Sequence, residues 1–448
     1  MNHASGGSIS EPEAGLGYRL IKRMLDVRPA EMRALGWSWL YILSVLSSYY
    51  ILRPIRDEMG VAGGVENLQW LFTGTLLGMI VVNPPFAALV AKLPRERFIS
   101  ITYRFFTWNL LLFVLLFIMA TAAQNIWIGR AFFIWTSVFN LFVVSVFWAL
   151  MVDVFDSEQS KRLFGFIAAG ATLGGIIGSS LTASLAQHVP ATYLLLGSAL
   201  LLEVAVFSVR RLSRLSEALL LRPAARGDQA PIGGTALSGL AHAFKSPYLV
   251  NVSLYILLYA ITSTFLYFQQ AEIARHSFAD RGARTAFFAR IDLLVNILTL
   301  GAQLFATGRV LRALGVGLTL ATLPAISVLG FGALALAPAI AVLVIFQVLR
   351  RAGNFAFARP TREVLFTVVP REDKYKAKSF IDTVVYRTGD QVGAWSYAGL
   401  GFLGLGMVGI SFVALPISAA WLLNGLWLGR KQETLAREEA EASPLPAS

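Results

Sequence analysis

The chain has 448 residues, of which 56% are hydrophobic and only 14% charged, with a mean hydropathy of +0.64. A soluble globular chain carries about a quarter charged residues, so lipid is the solvent to assume. The net charge of +12 is scattered in short clusters between apolar runs, which excludes a nucleic-acid footprint. With no cysteine, and with His3, His188, His242 and His276 far apart, disulfide, thiolate and metal chemistry have no residues to act through, and no cofactor is implied.

The first thirty or so residues are polar and mixed in charge, without the features of a signal or transit peptide, so the N-terminus is expected to be retained and cytoplasmic. Apolar runs of about twenty residues then recur, each long enough to cross the hydrocarbon as a helix. They predict helices near 34–52, 69–91, 98–120, 125–151, 163–186 and 190–208, then near 248–270, 285–307, 314–336, 339–368, 377–403 and 406–428. The runs are continuous and not alternating, which excludes a barrel. The expected organisation is a cytoplasmic tail over 1–33, a six-helix bundle over 34–208, a cytoplasmic linker over 209–247, a second six-helix bundle over 248–429 and a tail over 430–448.

Lys and Arg placement tests this count independently, because short cytoplasmic loops are enriched in them. Clusters fall in the N-terminal tail, after helices 2 and 4, in the linker, after helices 8 and 10, and in the C-terminal tail, so both termini are placed inside. The exceptions are Arg275, Arg281 and Arg284 after helix 7, partly offset by Glu272 and Asp280. The halves also resemble each other. VDVFDSEQSKRLFGF at the end of helix 4 and FTVVPREDKYKAKSF at the end of helix 10 share one pattern, and an offset of 215 pairs Lys161 with Lys376 and Gly174 with Gly389. The fold class is therefore an all-α integral membrane protein of about twelve transmembrane helices, major facilitator-like, with two pseudo-symmetric six-helix halves and the solute site between them.

Charges deep in helices are functional candidates, because each costs several kcal/mol unless it faces a partner or a wet cavity. Helix 1 ends in YYILRPIRDEMG, where Arg53 and Asp57 are spaced to pair as a gate, leaving Arg56 free on another part of the surface. Helix 10 carries Arg351, Arg359 and Arg362 with Asn354 between them, Pro360 to bend or unwind the helix and Glu363 as the nearby acid. Helices 1, 4, 7 and 10 line the cavity in this fold, so Arg56, Arg351 and Arg359 would converge on one solute. Guanidinium binds phosphate or carboxylate bidentately, and the surplus predicts an anionic substrate.

Helix 11 offers Lys376, Lys378, Asp382, Arg387 and Asp390, with Arg387 and Asp390 at pairing distance as a gate or latch. Arg290 and Asp292 in helix 8 read as a balanced inter-helix set. In helix 7, Tyr267, Gln269 and Gln270 could contact a base, sugar or amide, and Gly170, Gly174 and Gly178 in helix 5 read as close helix packing. No Walker loop and no GxSxG nucleophile motif occurs, so neither an ATP-hydrolysing pump nor a hydrolase has support.

Three separated segments carry a family resemblance: LRPIRDEMGV at helix 1, VVSVFWALMVDVFDSEQSKRLFGFIAAGATLGG across helices 4 and 5, and KYKAKSFIDTVVYRTGDQVGAW entering helix 11. They are similar to the ATP/ADP translocases of plastids and intracellular bacteria. That resemblance implies exchange of nucleotides by alternating access without hydrolysis. Arg56 stands where those exchangers have a helix 1 lysine, and Lys376, Lys378 and Asp382 fall in their helix 11 basic motif. Ser137 and Tyr267 stand where they carry glutamates, which leaves the cavity more positive and opens the substrate to another phosphorylated or carboxylated metabolite.

The expected function is secondary transport of a small anionic solute, in the form of ATP/ADP-like exchange, by a multi-pass and monomeric protein of a bacterial inner membrane, with the lipid bilayer as its other partner. Two alternatives stay open. One is proton-coupled transport, which is favoured if Asp57, Asp382 or Asp390 proves unpaired and buried. The other is a non-transporting receptor or scaffold with the carrier fold.

Overall fold

The computed structural model describes residues 27–28, 31–93, 95–219, 246–369, 377–378 and 380–442. Those residues form helices and no strand. In chain order they are α1 (Met32–Ala62), α2 (Leu68–Lys92), α3 (Arg95–Met119), α4 (Ala122–Val154), α5 (Ser157–Leu185) and α6 (Ala191–Leu219). The second set is α7 (Pro247–Ser277), α8 (Arg281–Phe305), α9 (Thr307–Leu336), α10 (Ile340–Val364), α11 (Tyr386–Phe402) and α12 (Met407–Ala442). Eleven of the helices are long and apolar enough to cross a membrane; α11 is the exception, at 17 residues. Both α6 and α12 run past the limits read from hydropathy, to Leu219 and Ala442, because charged residues end an apolar run without ending a helix.

Helix starts follow from local chemistry. Asp156 caps α5 by accepting a 2.8 Å bond from the Gln159 amide, while the Gln159 side chain bonds back to the Asp156 amide. Asp280 caps α8, and Ser246 with Pro247 behind it opens α7. Two helices are interrupted. A π-turn at Asn354–Ala358 breaks α10 ahead of Pro360, and another at Ile381–Val385 precedes α11. Pro360 has no N–H for the Ala356 carbonyl, and the Thr307 hydroxyl donates to that oxygen at 3.0 Å instead. The break read from Pro360 is thus real, and the turn between α8 and α9 supports it.

Internal symmetry is visible in packing. In α5, a Cβ on Gly174 would lie 2.6 Å from the Leu43 carbonyl oxygen of α1, and one on Gly178 would lie 2.4 Å from the Ser47 oxygen. In α11, a Cβ on Gly389 would meet Ala260 of α7 at 2.6 Å, and one on Gly393 would meet Thr264 at 3.0 Å. The same offset relates both glycines, and it maps their α1 contacts onto α7 to within a few residues. The fifth helix of each half therefore presses backbone to backbone on the first, which small residues permit.

The halves meet where α5 and α1 pack on α8, and α2 on α11. At the end of the molecule opposite the start of α1 and the end of α12, Val61, Leu68, Leu71 and Phe133 of the first half share a buried apolar cluster with Phe265, Phe268 and Phe288 of the second. Gly178→Ala should therefore weaken the fold by about 1–3 kcal/mol through overpacking against α1. Gly197→Ala, with nothing within 4 Å of the new methyl, should leave it unchanged. Thermal melting in detergent checks both, and equal melting of the two variants would contradict the packing.

Candidate functional site

A cavity of about 250 Å³ lies between the halves, walled by Arg56 of α1, Phe72, Thr75 and Leu76 of α2, and Phe133, Ser137 and Asn140 of α4. The second half contributes Ser263, Thr264 and Tyr267 of α7 and Tyr386, Arg387, Asp390 and Gln391 of α11. Guanidinium groups thus enter from both halves.

Each has a carboxylate on its own helix. Arg56 donates to Asp57 Oδ1 through Nε at 3.0 Å and Nη2 at 2.6 Å, reaches Ser137 Oγ at 3.4 Å, and lies 5.0 Å from the centre of the Phe133 ring. Tyr267 donates to the same Asp57 oxygen at 2.9 Å. Arg387 makes the i,i+3 pair with Asp390 at 3.0 Å. Ser137 and Tyr267, which stand where the resemblance expects glutamates, therefore bind the two ends of one ion pair.

The Arg53–Asp57 gate is not formed. Arg53 reaches across the half boundary to Asp292 Oδ1 at 2.9 Å, and Arg351 holds that same oxygen at 2.6 Å. Asp292 is 2% exposed, and within the described residues its Oδ2 and the Arg351 Nη2 have no hydrogen-bond partner. Two guanidiniums sharing one carboxylate leave a single surplus charge. Arg56 and Arg351 are thus not the free cations the sequence suggested, and Asp292 does not balance Arg290, which is exposed.

The remaining candidates divide. Arg359 is exposed over the Phe355 ring at 4.9 Å, with no carboxylate paired to it among the described residues. Asn354 is buried at the start of the π-turn. Gln270 does not face the cavity; its amide oxygen accepts from Gln347 inside the second half. Asp382 pairs with Arg362 at 3.3 Å and Lys378 with Glu363, all within the second half, so neither bridges the halves. Lys376 lies outside the described residues.

Sequence reasoning missed three features. Neutral Thr75, Asn140 and Ser263 in the cavity wall carry no charge signal. Arg350 is buried beside Arg351, which drew the attention. Glu58, 2% exposed, is gripped by Arg281 at 2.9 Å and Arg284 at 3.0 Å from the other half, and Arg275 pairs with Glu66 at 2.9 Å. These pairs account for the three arginines that broke the loop-charge pattern, and they close the end opposite the termini.

No family model matches the chain. ADP,ATP carrier protein 1 of Chlamydia muridarum is 22% identical over 371 residues, covering 71% of this chain and 70% of that protein. ADP,ATP carrier protein 2 of Chlamydia pneumoniae is 19% identical over 471 residues, covering 87% of each. The chain is a distant relative of the chlamydial ADP,ATP carrier proteins. Its fold matches a bacterial homologue of the iron transporter ferroportin in an inward-facing state (TM-score 0.62, 12% identity, 90% of this chain and 98% of that one). It also matches the nucleoside transporter NupG (TM-score 0.54, 12% identity, 90% and 98%). The likeness to both structures lies in the fold, a major facilitator architecture, and the protein is a multi-pass membrane protein.

Asp292→Asn would leave Arg53 and Arg351 facing each other without a carboxylate. It should cost about 3 kcal/mol of stability, as loss of one partner of a buried pair does. Arg351→Met keeps the Arg53–Asp292 pair and should cost less. Melting of the purified variants decides, and a wild-type melting temperature for Asp292→Asn would contradict the shared-carboxylate geometry.

Proposed function

We propose that the chain is a secondary transporter that carries an anionic solute by alternating access, in the manner of nucleotide exchange. The observation that carries this is the pair of cavity guanidiniums, Arg56 and Arg387, supplied by opposite halves and each held by a carboxylate of its own helix. A bare guanidinium in a low-dielectric cavity is costly, and the resident carboxylate removes that cost while the cavity is empty. An incoming phosphate or carboxylate offers the same bidentate geometry, so it can replace Asp57 and Asp390 and touch both halves at once. Neutral Asn140, Ser263 and Thr264 are placed to hold the uncharged part of the solute.

Exchange follows from the bridge between halves. Opening the end opposite the termini separates α1 from α8, and Arg53 from Asp292. Without a solute, that step strands charges in the membrane interior; a bound anion supplies the missing negative charge. An empty carrier is therefore held, and a loaded one is free to turn. Proton coupling is the weaker reading, because Asp57, Asp382 and Asp390 are each ion-paired. With the basic loops read as cytoplasmic, both termini lie inside, and a bacterial inner membrane is the simplest location.

Purified protein in liposomes loaded with ADP should take up labelled ADP or ATP faster than empty liposomes do. Arg56→Ala and Arg387→Ala should each lower kcat/KM by about 10- to 100-fold, the range for losing a hydrogen bond to a charged group. No uptake and no counterflow with nucleotides, sugar phosphates and dicarboxylates would sink the proposal, and uptake driven by acidification alone would favour the proton-coupled reading.

A further inference from the structure

Arg350 of α10 is 1% exposed inside the second half, and no carboxylate pairs with it among the described residues. Its Nε donates to Ser327 Oγ at 3.1 Å, and its Nη2 donates to Thr262 Oγ1 at 2.9 Å and to the Tyr259 carbonyl at 3.1 Å. The guanidinium lies 5.1 Å from the centre of the Tyr259 ring and 5.8 Å from that of Trp421.

Nothing in this cage requires a cation. Thr262 and Ser327 already donate to carbonyls of their own helices, at 2.8 Å to Leu258 and 3.0 Å to Leu323. Removing Arg350 would leave neither hydroxyl proton without an acceptor. A buried charge with replaceable hydrogen bonds and no counter-ion is costly in a membrane, and such residues are kept for function.

Its position indicates which function. The Tyr259 ring lies 6.1 Å from that of Tyr386, and Tyr386 lines the cavity. The charge therefore stands one aromatic layer behind the cavity wall, where its field reaches the solute but its side chain does not. The charges in the wall itself cancel, Arg56 against Asp57 and Arg387 against Asp390. We infer that Arg350 is a specificity-determining residue, a fixed positive charge behind the wall of the central cavity that biases the site toward anions. This rests on the transport reading above for its consequence, but not for its field. A unit charge on the order of 10 Å away, at an effective dielectric near 20, is worth about tenfold in anion affinity.

Two measurements test it, one of which needs no solute. The chain has no cysteine, so Ser263→Cys places a single thiol in the cavity wall. A nearby cation favours the thiolate. Adding Arg350→Met or Arg350→Gln should raise the pH of half-maximal maleimide labelling by about one unit, and Arg350→Lys should leave it in place. In liposomes, the neutral variants should raise the KM for ADP about tenfold with kcat within twofold, and Arg350→Lys should recover it. Both neutral variants should melt at or above the wild-type temperature. An unshifted labelling profile, or loss of folding in both neutral variants, overturns the inference even if wild-type exchange is normal. Wild-type protein that moves no nucleotide, sugar phosphate or dicarboxylate while the labelling shift is present overturns the transport reading and leaves the field assigned.

Discussion

A guanidinium inside a bilayer is costly without a counter-charge, and in this protein Arg53 of α1 takes its counter-charge from the opposite half. Arg53 is held by Asp292 of α8, whose same oxygen also holds Arg351 of α10. One turn farther along α1, Asp57 is shared by Arg56 and Tyr267, and Glu58 is gripped by Arg281 and Arg284. Six consecutive positions of α1 thus carry three separate polar links into the second half. Every such link resists separation of the halves at that end, and breaking a buried ion pair such as Arg53–Asp292 costs about 3–5 kcal/mol without a replacement partner. The electrostatics of the empty cavity and the mechanics of the two halves are the same set of contacts.

Lipid solvation explains why the scaffold can bear this. Helices satisfy their own backbones, so the sequence needs only apolar length and small residues where helices press together. Gly174 and Gly178 set α5 against α1, and Gly389 and Gly393 set α11 against α7, which builds two halves of similar design. One π-turn breaks α10, and another leads directly into Tyr386 of the cavity wall, both in the second half. They give that half local irregularity that α1 and α4 of the first half lack.

Helix number, the glycine seams and the interruption at Pro360 were legible in the sequence because each depends on local composition or on residues a few positions apart. The charge partners were not. Spacing along α1 favoured Arg53 with Asp57, yet the structure gives Arg53 a partner in α8 and gives Asp57 to the adjacent Arg56; only tertiary packing decides between them. Lys378 reads as a basic site residue until Glu363 is seen beside it, and Gln270 reads as a cavity residue until Gln347 is. Arg350 was hidden for the opposite reason, since a sequence shows the charge but not the lack of a partner. The similarity to the chlamydial carriers extends over most of the chain, while its cavity replaces expected acids with Ser137 and Tyr267, which now serve the Arg56–Asp57 pair.

The Arg53–Asp292 bridge is expected to hold the solute-free protein closed at the end opposite the termini. Leu76→Cys in this cysteine-free chain places one thiol in the cavity, and a membrane-impermeant maleimide applied from either face of oriented liposomes reports which face reaches it. Without solute, the thiol should react from the face bearing the termini only, and Arg53→Met, which leaves Asp292 paired with Arg351, should make it reactive from both faces. Reaction from both faces before Arg53 is changed, or from one face after, would contradict the account.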